Sequence, residues 1–148
     1  MSLKERINDD LKDALKSGDK IRLQTIRSIR ATIIEFEKSG TDKELDEAEE
    51  IKLLSTASKK RKEAIDQFRK GGREDLASVE EAELKVIMEY LPKQLTPEEI
   101  EVELRKIAVN IGASSKSDFG KLMSSAMKEL KGKADGRLVK EFVEKVLG

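Results

Sequence analysis

Start and stop signals for helices recur at short intervals along this chain, and between them the apolar residues keep a helical spacing. Ser2 and Glu5 form a capping box. Leu3, Ile7, Leu11, Ala14 and Leu15 follow on one face until Gly18 stops the segment. Asp19 opens a second helix with a stripe of Ile26, Ile29, Ile33 and Phe36, ending at Gly40. Thr41 and Glu44 read as the capping box of a third, whose seam runs Leu45, Ala48, Ile51, Leu54, Ser58, Arg61, Ile65 and Phe68 before Gly71-Gly72. A fourth is expected from about Arg73 to Leu91, with Leu84, Ile87, Met88 and Leu91 inward, and is broken by Pro92.

The chain then restarts. Thr96-Pro97-Glu98-Glu99 supplies a cap, a proline at the first helical position and an acid at the third. Ile100, Leu104, Ile107, Ala108 and Ile111 make the fifth stripe, closed by Gly112. Ser115 with Asp118 starts a sixth helix carrying Phe119, Leu122, Met123, Ala126 and Leu130. After the turn Gly132-Lys133-Ala134-Asp135-Gly136, Asp135 caps a seventh with Leu138, Val139, Phe142, Val143 and Val146. No segment alternates with the two-residue period of a strand. The expected fold is therefore all-α: a four-helix N-terminal domain (residues 1–92) and a small three-helix C-terminal domain (residues 93–148).

Composition removes several chemistries. No cysteine and no histidine occur in the 148 residues, so disulfides, thiolate or imidazole metal sites and the commonest general base are excluded. No nucleophile with an activating base can be assembled from Ser, Thr or Lys, and nothing converges on the paired carboxylates of the acidic stretch between Asp42 and Glu50, so no catalytic residue, metal ligand or cofactor is expected. The N-terminus, M-S-L-K-E-R, is charged at once and no apolar run could span a bilayer. A soluble cytoplasmic protein is the expectation.

Charge is balanced overall, at 30 basic and 30 acidic residues, so any nucleic-acid affinity has to come from a local patch. Residues 114–140 hold Lys116, Lys121, Lys128, Lys131, Lys133, Arg137 and Lys140 against three acids, a local charge of +4. Lys121, Lys128, Lys131, Lys133, Arg137 and Lys140 are the candidate nucleic-acid-binding residues, with Gly132, Asp135 and Gly136 forming the structural turn among them. A solvated lysine-rich surface accounts for the same excess. The Gly132-Lys133 pair is not a phosphate-binding P-loop, since Met127 and Ala134 stand where a glycine and a hydroxyl residue are required. The six acids between Asp42 and Glu50 complement the positive end of a helix dipole. Of Lys59-Lys60-Arg61-Lys62, only Arg61 falls on an apolar seam, where it needs a carboxylate partner. Arg22, Arg27 and Arg30 are accounted for by a solvated face of the second helix.

Four stretches carry a resemblance: M-S-L-K-E-R-I-N-D-D-L-K at the start, E-Y-L-P-K-Q-L-T-P-E-E-I from Glu89, G-A-S-S-K-S-D-F-G-K-L-M from Gly112 and M-K-E-L-K-G-K-A-D-G from Met127. Together they resemble the YqeY family over essentially the whole chain. The C-terminal third is similar in turn to the tail domain of the B subunit of the glutamine-dependent aminoacyl-tRNA amidotransferase, matching at Gly120, Leu122, Met123, Met127, Lys128, Gly132, Lys133 and Ala134. The resemblance implies four helices followed by three, and a free-standing tRNA-binding or tRNA-associated accessory module. Its partner would be tRNA, through the C-terminal basic patch, or a tRNA-modifying or aminoacylation-linked protein. A protein-interaction module presenting the charged third helix is the alternative. A component with carbon–nitrogen ligase activity, taking its amide nitrogen from glutamine, is a third, although the catalytic part of the amidotransferase has no counterpart here.

Overall fold

The computed structural model describes residues 1–40 and 42–148, and every regular element among them is helical. The chain is all-α. It divides into two compact units, Met1–Leu91 and Pro92–Gly148, each with its own apolar cluster.

The first unit holds α1 (Leu3–Ser17), α2 (Lys20–Lys38), α3 (Glu47–Lys70) and α4 (Glu74–Met88). Helix α1 packs on α2, and α4 packs on both α2 and α3. Ile7, Ile26, Ile33 and Ile87 are completely buried at the centre, each removal from water contributing about 1.5–3 kcal/mol. The N-terminus of α1 is doubly satisfied. The Ser2–Glu5 capping box forms, and Glu50 of α3 accepts the Leu3 N–H at 2.9 Å. Part of the acidic stretch thus serves a neighbouring helix as well as its own dipole.

Some expected boundaries and faces differ. Helix α3 begins at Glu47, not near Thr41; Asp46 is its cap, accepting the Glu49 N–H at 2.9 Å. Thr41 itself lies outside the described residues. Leu45 precedes the helix yet still packs against the core. Helix α4 ends at Met88, three residues before Leu91, and Glu89 to Leu91 tighten into bonds to the third residue back. That tightening turns the chain ahead of Pro92 and buries the Tyr90 ring. The Tyr90 hydroxyl donates to Asp10, and Arg6 lies 4.9 Å above the ring. Leu15 and Ala48 fit their stripes by spacing but are exposed. Arg61 does find its carboxylate: its Nε lies 3.3 Å from buried Glu83 of α4, while Nη2 donates to Ser28 of α2. Burial raises the Glu83 carboxyl above its ordinary pKa, and Arg61 partly opposes the shift.

The second unit holds α5 (Pro97–Ile111), a short 3₁₀ turn (Lys116–Asp118), α6 (Phe119–Glu129) and α7 (Gly136–Leu147). These three helices pack mutually around Ile100, Leu104, Leu122, Val139 and Val143. The Thr96–Glu99 capping box and Pro97 at the first position open α5 as expected, and Gly112 ends it in the left-handed conformation. No helix among the described residues is long and apolar enough to cross a membrane.

Candidate nucleic-acid interface

The loop entering α6 is held by Asp118, whose carboxylate accepts the backbone N–H groups of Ser114 and Ser115. Those bonds pull its pKa below the ordinary carboxylate value. One turn on, Lys121 donates from Nζ to the Ile111 carbonyl at 2.7 Å, at the negative end of α5. This lysine therefore ties α6 to the end of α5.

The glycine turn is built in the same way, by tertiary hydrogen bonds. Gly132 sits at φ 77°, a left-handed conformation that costs an L-residue about 1–2 kcal/mol. Its carbonyl accepts from Gln94 Nε2 at 2.6 Å, and the next carbonyl, of Lys133, accepts the Leu95 N–H at 2.8 Å. Gln94 also bonds the Pro92 carbonyl at 3.0 Å, which fixes its own side chain. Within the second unit, Gln94 and Leu95 thus clamp the Gly132–Lys133 turn.

Gly136 plays a different part from the one its place in the motif suggests. It is the first residue of α7, has no left-handed backbone, and a Cβ there would make an ordinary 3.7 Å contact with Met127. Its freedom is not what the turn uses. Replacing Gly132 by alanine is expected to lower stability by about 1–2 kcal/mol. Gly136→Ala should be neutral or stabilising by up to about 1 kcal/mol, because Gly costs entropy in a helix. Thermal unfolding of the two variants side by side checks this; equal losses would contradict it.

The cations distribute unevenly around this frame. Lys128, Lys131 and Lys133 are exposed, and none forms an ion pair among the described residues. Lys131 and Lys133 flank Gly132, and Lys128 lies one turn before Lys131 near the end of α6. Glu129 is the one acid in that stretch. Pairing through Gln94 also brings the exposed Lys93 to the turn, a residue that charge counting along the sequence passes over. On α7, Arg137 and Lys140 are exposed, but Glu141 and Glu144 each follow four residues later on the same side. Asp135 caps α7, accepting the Arg137 N–H at 2.9 Å. The concentrated, unpaired part of the basic region is therefore the turn itself.

Sequence similarity to known proteins extends along most of the chain. A family model described as Yqey-like protein matches residues 4–147. The protein called "Altered inheritance of mitochondria protein 41, mitochondrial" in Pyrenophora tritici-repentis is 34% identical over 97% of this chain and 80% of its own length. The protein of the same name in Vanderwaltozyma polyspora is 35% identical over 68% of this chain, a match covering 55% of its own length. An uncharacterised protein of Schizosaccharomyces pombe is 32% identical over 62% of this chain and 74% of its own. With a family match over residues 4–147 and a relative 34% identical over 97% of this chain, this chain belongs to the YqeY family.

Proposed function

We propose that the C-terminal unit binds RNA through the glycine turn, and that the chain is a tRNA-associated accessory module. The observation that carries this reading is the set of exposed lysines without an ion pair among the described residues, Lys128, Lys131 and Lys133, around a turn to which Gln94 is hydrogen-bonded. Phosphate contacts require cations that are not already neutralised and that project from an ordered frame. Lys93 enlarges the same group. The similarity of Met127–Gly136 to the amidotransferase tail, which helps to hold tRNA, favours tRNA over other RNAs.

Binding of unmodified tRNA to the full chain should weaken steeply with salt. Changing Lys128, Lys131 and Lys133 together to alanine is expected to flatten the slope of log affinity against log salt by about 1 for each lysine removed. Electrophoretic mobility shift or fluorescence anisotropy across a salt series reads this. A control carrying Lys59→Ala and Lys60→Ala, on the exposed side of α3, should keep the parental slope. Equal effects of the two sets, or no binding at low salt, would remove the reading.

A further inference from the structure

We infer that the crevice between α1 and α2 is a docking groove for an acidic peptide segment carrying a single apolar anchor. Its wall on α2 is formed by Arg30, Ile34 and Lys38, four residues apart and so in one line along the helix. On α1, Lys4 and Asn8 line it, and the half-buried Leu11 and the 55% exposed Leu15 continue the same side. Ile7 and Ile33 close the floor. The cavity is about 280 Å³, below the roughly 300–1,000 Å³ typical of small-molecule sites. It is partly open and large enough to admit an aliphatic side chain.

The charges around the groove select its occupant. Lys4 is already neutralised by Glu37 at 3.0 Å. Arg30 and Lys38 have no acidic partner among the described residues, although both are exposed and border apolar surface. Arg22, which shares their helix, is by contrast consumed by Glu89 at 2.8 Å. The Asn8 side-chain amide has no hydrogen-bond partner among the described residues, so its donors and acceptor remain open to a peptide backbone. Two unpaired cations above an apolar floor complement carboxylates flanking one aliphatic side chain, the arrangement of an amphipathic segment laid into a groove. This surface belongs to the first unit and the lysines of the glycine turn to the second.

The test uses the full-length protein, isotope-labelled for amide NMR, with two short fluorescein-labelled peptides. One has glutamates around a central leucine; in the other that leucine is serine. The leucine peptide should shift amides confined to Lys4–Leu15 and Arg27–Lys38, and bind about tenfold more tightly than the serine peptide. Arg30→Glu with Lys38→Glu should lower its affinity by tenfold or more, and Arg30→Gln with Lys38→Gln by less, both with unchanged thermal midpoints. The Lys128, Lys131 and Lys133 triple alanine variant should bind the leucine peptide like the parent, whatever becomes of its RNA binding. The inference is overturned by no binding, by equal affinity of the two peptides, or by shifts elsewhere. It is also overturned if a single-stranded RNA displaces the peptide from these amides.

Discussion

Replacing Leu104 by alanine is expected to unfold the Pro92–Gly148 unit at room temperature. Leu104 is completely buried in the cluster shared by α5, α6 and α7. Removing its branched end loses the transfer energy of three carbons and leaves a cavity that three mutually packed helices cannot close, a cost of about 3–4 kcal/mol. A unit this small buries a modest fraction of its surface and has only about 3–5 kcal/mol to lose. It also has no disulfide to hold it, since the chain has no cysteine. Amide hydrogen exchange would report the loss directly: protection should vanish across Pro97–Leu147 and persist in α1, α2, α3 and α4, whose apolar cluster is their own. Leu104→Met, which keeps the volume, should cost less than about 1.5 kcal/mol. Retained protection in the alanine variant would show that the cluster is less tightly coupled than its burial implies.

Arg61→Ala should cost the first unit about 3 kcal/mol at neutral pH. The side chains of Arg61 and Glu83 are only 19% and 10% exposed, so removing the cation strands a carboxylate largely out of water. Ser28 loses a donor in the same step. The effect depends on pH, and its sign follows from the Glu83 carboxyl. Burial already holds its pKa above the ordinary value, and losing Arg61 removes the neighbour that pulls it down. The folded variant therefore binds the Glu83 proton more tightly than the unfolded chain does. Stability then falls as pH rises from the unfolded carboxyl value through the raised folded one. Denaturant titrations should find the cost of Arg61→Ala smallest at acid pH and rising toward pH 7. Arg61→Met with Glu83→Leu should recover most of it, because an apolar pair of similar volume has no charge to desolvate. A cost independent of pH would locate the damage in packing instead.

Local signals made much of this architecture legible. The caps Ser2, Asp19, Thr96 and Asp135 act within a few residues of themselves, so each can be read from its immediate neighbours. The same holds for Gly112 and for the stripe of α5. The Thr41–Glu44 pattern misplaces the start of α3; the structure starts the helix after Asp46, whose carboxylate caps it at Glu49. The requirement that Arg61 find a carboxylate followed from its position on an apolar seam, whereas the partner did not. Glu83 is on another helix, and nothing in the spacing singles it out from the other acids nearby.

The candidate site divides along the same line. Sequence by itself determined the all-helical class, the local +4 charge and the glycine turn, since helix periodicity, capping and net charge are properties of neighbouring residues. Only the tertiary structure decided which cations are left over. It ties Lys121 to the end of α5, gathers Lys93 to the turn through Gln94, and leaves Lys128, Lys131 and Lys133 unpaired. It also separates Arg30 and Lys38, which remain unpaired beside a crevice, from Arg22, which Glu89 neutralises. Whether a charge is spent or available depends on partners distant in the chain, and those meet only after the helices have packed.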